Sequence, residues 1–127
     1  MSVRYVFDTG ALIAAERGKQ RATRFLQLVR VGRARIIVPL PVVAEWWRGR
    51  TDAREEILAA TEVVGSLAAA KAAGVALAHT KRVNANVTID AVVMATAALM
   101  DAVVVTGDPD DFEALAAYFP RVAVLAT

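Results

Sequence analysis

Asp8, Glu45, Asp90 and Asp108 each lie inside or at the end of an otherwise apolar run. An unpaired charge is costly in such a setting. A bound cation with oxygen ligands is the simplest compensation for four acids gathered from distant parts of one small domain. Each acid also has an ordinary reading. Asp8 and Asp108 are placed to cap helices, with Pro109 at the following first helical position. Asp90, read in the first turn of a helix, could complement the helix dipole, and Glu45 could pair with Arg48. These readings leave unexplained why an apolar helix keeps one carboxylate and why two strand ends both finish in Asp.

Charge is distributed unevenly around these acids. The chain of 127 residues has a net charge of +2, yet nine Lys or Arg and a single acid, Glu45, lie between Arg17 and Arg50. A basic flank beside an acidic cluster suits a polyanion held by its phosphates while one phosphate approaches metal ions. The plainer alternative is a solvated helix face. Arg17, Lys19, Arg21, Arg24, Arg48 and Arg50 are the candidates for backbone contacts.

The elements that must position these residues follow from periodicity. Arg4 to Phe7 reads as a buried strand, and Thr9 onward as a helix ending near Gly18, with Asp8 at the junction. Gln20 to Val31 is a basic amphipathic helix. Ile36 to Val38 is a second strand, stopped by Pro39. Pro41 then opens a helix to about Arg48 that carries Glu45. Asp52 to Ala60 is helical, Glu62 to Val64 a short edge strand, and Leu67 to His79 an Ala-rich helix. Thr88 to Met100 is a helix with almost no polar face, followed by a strand over Ala102 to Val105. The turn Gly107-Asp108-Pro109 opens a short helix through Ala117, and Val122 to Leu125 is the last strand.

This alternation predicts an α/β fold, a three-layer α/β/α arrangement around a central, mostly parallel sheet, as one domain over residues 1–127. Ligands of such sheets bind beyond the carboxyl ends of the strands, where Asp8 and Asp108 can meet. Glu45 and Asp90 join them if the early turns of their helices overhang the same edge.

Composition excludes several chemistries. With no cysteine, disulfides, thiolate zinc sites and cysteine nucleophiles are ruled out, and a reducing cytoplasm is compatible. The N-terminus shows no signal-peptide pattern, so the mature chain is expected to begin here, and no apolar stretch reaches the length of a membrane span. His79 is the lone histidine, near a helix end where the dipole favours a cation anyway. Trp46 and Trp47 beside Glu45 could stack bases, although core packing for one and a surface or interface place for the other is the stronger reading. No phosphate-cradling glycine loop is present.

Val6-Phe7-Asp8-Thr9, Val42-Val43-Ala44-Glu45, Ile89-Asp90-Ala91 and Thr106-Gly107-Asp108-Pro109-Asp110-Asp111-Phe112 together resemble the PIN-domain nucleases. In length and motif order the chain is similar to the VapC toxins of bacterial toxin–antitoxin pairs. The resemblance spans essentially the whole chain. It implies a cytoplasmic endoribonuclease dependent on Mg²⁺ or Mn²⁺, leaving 5′-phosphate and 3′-hydroxyl ends. Asp8, Glu45, Asp90 and Asp108 would be its metal-binding acids, and Asp111 a further acid used by some members. Thr9 and Thr106 match hydroxyl positions near the site, and Gly10 departs from the Ser or Asn common there. A cognate antitoxin and a homodimer are implied by the resemblance alone.

Two rivals belong to other classes. A receiver-like signalling module also gathers acids and Mg²⁺ at a sheet edge, but it needs a Lys after a late strand, and Val122 to Thr127 contains none. A nuclease-like fold that only binds RNA or protein would bind without metal-dependent cleavage.

Overall fold

The computed structural model describes residues 2–80 and 84–127. In chain order the elements are β1 (Val3–Phe7), α1 (Thr9–Glu16), α2 (Gln20–Arg30), β2 (Ala34–Pro39), α3 (Leu40–Trp46), α4 (Asp52–Ala59), β3 (Glu62–Val64), α5 (Leu67–Thr80), α6 (Ala85–Met100), β4 (Val103–Thr106), a 3₁₀ turn (Pro109–Phe112), α7 (Glu113–Ala116) and β5 (Val124–Ala126). The strands form one sheet in the order β3-β2-β1-β4-β5, and each of the four pairings is parallel. The expected α/β/α architecture is therefore present.

Strand burial follows from this layering. Successive side chains of a strand point to opposite faces, so a strand buried at consecutive residues must be covered on both. Val6 and Phe7, Ile36 to Val38, and Val104 and Val105 are all buried. Fully burying one such side chain contributes about 1.5–3 kcal/mol. Helix α6 packs on β1, β2 and β4 and against α5. Its partner face on α5 is an alanine stripe, Ala69, Ala73 and Ala76, whose spacing keeps small residues on one side of the helix and lets the two helices approach closely.

The strand order fixes where a site can form. From β1 the chain moves to β2 on one side, whereas β4 lies on the other side of β1 and continues outward to β5. The crevice between the carboxyl ends of β1 and β4 is thus the reversal point at which open parallel sheets bind ligands. Phe7 pairs with Val105, which brings Asp8 and Thr106 to that crevice.

Several boundaries differ from those expected. Helix α6 starts at Ala85 rather than Thr88, because Asn84 caps it: its side chain accepts from the Val87 N–H at 3.0 Å. Asp90 therefore lies beyond the first turn, and complementing the dipole does not account for it. Pro39 is the last residue of β2 instead of lying beyond it, in register with Val64 of β3. The helix expected through Ala117 is a 3₁₀ turn followed by a single α-helical turn. Among the described residues no helix is long and apolar enough to cross a membrane.

Candidate active site

Asp8 follows β1 directly and caps α1, its Oδ1 accepting from the Ala11 N–H at 2.8 Å. Its other oxygen accepts a short hydrogen bond from the Thr106 hydroxyl at the end of β4. The same hydroxyl accepts from the Asp108 N–H at 3.0 Å. Thr106 thus ties the loops after β1 and β4 together through one buried oxygen. Gly10 and Gly107 allow the loops to come this near: a Cβ on Gly10 would stand 3.1 Å from the Gly107 nitrogen. The bare backbone at position 10 fits its departure from Ser or Asn.

Glu45 enters from the last turn of α3, not from an early turn as expected. Its Oε1 accepts a short hydrogen bond from the Thr9 hydroxyl at the start of α1. The expected pairing with Arg48 is not formed, since Arg48 donates instead to the carbonyls of Ala44 and Trp47 at 3.3 and 3.4 Å. Asp108 precedes the 3₁₀ turn but makes no side-chain cap hydrogen bond, so capping does not occupy its carboxylate. Of the ordinary readings, capping holds for Asp8 alone.

Asp8, Glu45, Asp90, Asp108 and Asp111 all line one cavity of about 330 Å³, with Thr9, Gly10, Asn86 and Gly107 completing the wall. No basic side chain among the described residues lines it. Among the described residues, no three carboxylate or histidine groups stand at the spacing of a ready-made metal cage. The acids border a space roomy enough for a hard ion that keeps part of its water, as Mg²⁺ does.

Electrostatics register the crowding. Burial pushes the Asp8 carboxyl above its ordinary value, opposed by the hydrogen bonds from Thr106, Ala11 and Gly107 and reinforced by the Glu45 charge. Asp90 is pushed up to about 7, first by burial and then by repulsion from Asp8, Asp111, Glu45 and Asp108. A cavity whose crowded carboxylates favour protonation of Asp8 and Asp90 is chemically suited to a multivalent cation.

The other candidates fall in different places. Arg17 and Arg48 line a second cavity that adjoins the acids through Thr9 and Glu45. Lys19, Arg21 and Arg24 are exposed at the start of α2, and Arg50 lies 3.4 Å from the exposed Asp52. The basic segment is therefore divided, and Arg35, bonded to Glu62 at 2.6 and 2.7 Å, belongs to the sheet edge. His79 is exposed and stacks on Tyr118 with ring centroids 5.6 Å apart, away from the acids. Trp46 is a core residue, 3% exposed, in edge contact with the half-buried Trp47. Asp110 lines a neighbouring cavity shared with Asp90, Asp111 and Asn86. Asn86 was missed by sequence reasoning. The signal that could have found it is the Asn84 cap, which places Asn86 in the turn before Asp90.

Known structures share this arrangement of elements. VapBC2 from Rickettsia felis, bound to a promoter DNA fragment, aligns with 98% of this chain and 99% of its own at 15% identity and a TM-score of 0.70. DNA-bound VapBC from Salmonella typhimurium aligns over 98% of both chains at 20% identity and a TM-score of 0.67. A toxin–antitoxin complex from Klebsiella pneumoniae covers 94% of this chain and 95% of its own at 21% identity and a TM-score of 0.63. No curated relative matches the sequence. The PIN domain family matches residues 5–118, spanning both acid-bearing strand ends and the two helices that carry Glu45 and Asp90. The chain belongs to the PIN domain family.

Proposed function

We propose that this protein is a metal-dependent endoribonuclease of the VapC toxin type, hydrolysing RNA to 5′-phosphate and 3′-hydroxyl ends and restrained by a cognate antitoxin. The observation that carries the reading is the shared cavity: five carboxylates from four separate stretches of sequence converge where β1 and β4 diverge. PIN domains are generally nucleases, and the similar structures include VapB–VapC assemblies.

Asp8, Glu45, Asp90 and Asp108 are the residues that would hold Mg²⁺ or Mn²⁺, with Asp111 at the exposed rim as a further donor. A bound ion of this kind lowers the pKa of a coordinated water and neutralises phosphate charge. The protein's own part is positioning. The Thr106 hydroxyl fixes one Asp8 oxygen and the Ala11 N–H the other, so this carboxylate is oriented before any ligand arrives. The Thr9 hydroxyl orients Glu45 in the same way. Between them these bonds set the donor geometry at modest entropic cost on binding.

An acid–base ribonuclease working through the 2′-hydroxyl calls for a well-placed histidine, and His79 is not at the cavity. The test is incubation of purified, antitoxin-free protein with total RNA in Mg²⁺, Mn²⁺ or chelator, followed by mapping of the ends. Metal-dependent 5′-phosphate ends that vanish in folded Asp8→Asn and Asp90→Asn proteins are expected. Cyclic-phosphate ends formed equally in chelator would overturn the reading.

A further inference from the structure

A second cavity, of about 400 Å³, shares Thr9 and Glu45 with the acid cavity, so the two are continuous across one carboxylate. Its size falls within the roughly 300–1,000 Å³ typical of small-ligand sites. Its charge is opposite. Arg17, Arg48 and Arg54 line it, and of its two acids Glu45 is bonded by Thr9 while Glu16 is bonded by Arg54. Among the described residues Arg17 and Arg48 form no ion pair, and Arg48 donates only to carbonyls at the long end of the hydrogen-bond range. Two arginines without carboxylate partners beside a cluster of acids present a place for an anion next to a place for cations.

Arg54 builds the wall. Its Nε lies 2.7 Å from Glu16 Oε1, and Nη1 donates to the Gly49 carbonyl at 2.9 Å. One guanidinium thereby ties α1, α4 and the connection between α3 and α4, where Gly49 takes φ +102°. The pair is largely shielded, with side chains 18% and 25% exposed, so it holds its geometry better than a surface pair. Arg48 sits one residue before the clamped Gly49.

We propose that this second cavity seats the phosphate neighbouring the scissile one on the RNA strand. Arg17 and Arg48 contact that phosphate, and Arg54 acts with Glu16 as a positioning clamp. The inference rests on the nuclease reading above and adds to it a direction for the strand, outward from the acids past Glu45. It also separates Arg17 and Arg48 from the rest of the basic segment.

The test is steady-state cleavage of single-stranded RNA in Mg²⁺ across a salt series, with Arg17→Gln, Arg48→Gln, Arg54→Gln and the Arg48→Gln/Arg54→Gln double variant. Arg33→Gln, at the far, amino end of β2, is the control. Arg17→Gln and Arg48→Gln should each raise KM about tenfold with kcat changed less than about threefold. Each should also reduce the slope of log(kcat/KM) against log salt by about 0.7, the value for one phosphate contact on a single strand. Arg54→Gln should match Arg48→Gln and add little to it in the double variant, which loss of general stability would not produce. Metal-dependent cleavage with KM and salt slope unchanged in Arg17→Gln and Arg48→Gln overturns the subsite and leaves the nuclease reading standing. If the wild-type protein cleaves nothing, the nuclease reading fails, and the same proteins are compared by fluorescence anisotropy with a labelled RNA oligomer. About tenfold weaker binding by Arg48→Gln then supports the anion subsite, and equal binding removes it.

Discussion

Asp90→Asn should make the metal-free protein more stable at pH 8, although it removes a residue proposed to be essential for cleavage. In the folded chain the Asp90 carboxyl is pushed up to about 7 from an ordinary 3.8. Below pH 3.8 it is protonated in both folded and unfolded states and imposes no penalty. Between there and about 7 the unfolded chain releases this proton while the folded chain keeps it, so stability falls as pH rises through that window. The interval sets a ceiling of roughly 4 kcal/mol at about 1.36 kcal/mol per tenfold change in proton affinity. Asp90 is only part-buried, and solvent screening reduces this to about 1–2 kcal/mol. For a chain of this size that corresponds to a rise in Tm of about 3–8 °C for Asp90→Asn over wild type. The assay is thermal and urea unfolding in chelator at pH 3.5, pH 5 and pH 8. The gain should be largest at pH 8, smaller at pH 5 and nearly absent at pH 3.5, below the unfolded-state value of 3.8. Adding Mg²⁺ at pH 8 should reverse the order, since a ligand at a hundredfold excess over Kd stabilises by about 2.7 kcal/mol and Asp90→Asn would forfeit much of it. An Asp90→Asn protein no more stable than wild type at pH 8, or a difference independent of pH, would refute the burial and repulsion on which this rests.

Three further outcomes follow from the same geometry. Thr106→Val leaves a buried Asp8 oxygen and the Asp108 N–H without their shared partner, so it should cost about 1–3 kcal/mol in urea unfolding and most of the cleavage activity, whereas Thr106→Ser should keep both. Gly10→Ala puts a Cβ 3.1 Å from the Gly107 nitrogen, between two backbones that cannot yield easily. A loss of about 1–3 kcal/mol and a weaker response of Tm to Mg²⁺ are expected. Asn84→Ala removes the cap of the helix carrying Asp90 and should cost about 1 kcal/mol, measured as a shift in the urea midpoint.

The strand ends were legible because their cause is local. A run of β-branched and aromatic residues that stops in Asp states both the element and its carboxyl terminus, and Asp8 and Asp108 were placed on those grounds. Asp90 lies later in its helix than periodicity indicates because the start of α6 depends on its cap, and Glu45 lies in a last turn because α3 ends at Trp46, short of the expected Arg48. Asn84 and Ala85 interrupt no apolar period, so periodicity is silent on where α6 begins and the capping tendency of Asn84 is the sign that remains. The adjacency of β1 and β4 is a tertiary fact, expressed in a hydrogen bond spanning 98 residues, and no spacing along the chain encodes it. The clamp of Arg54 on Glu16, 38 residues apart, was hidden for a related reason: charges on helices read as solvated until packing brings the helices together.

Substitutions at the acids must separate capping from chemistry, and the structure shows how. Asp8 does both tasks, so Asp8→Ala would remove the acceptor for the Ala11 N–H, and lost activity could then reflect a frayed α1. Asp8→Asn keeps a carbonyl oxygen for that N–H, and its amide can donate to the Thr106 hydroxyl, which retains acceptor capacity. Cap and loop contact survive while the negative charge is lost. Asp108 caps nothing through its side chain and is exposed, so Asp108→Ala and Asp108→Asn should behave alike in stability. A cleavage defect common to Asp8→Asn and Asp108→Ala, with unfolding midpoints close to wild type in both, would therefore locate the function in the charge of the cavity rather than in the helices it borders.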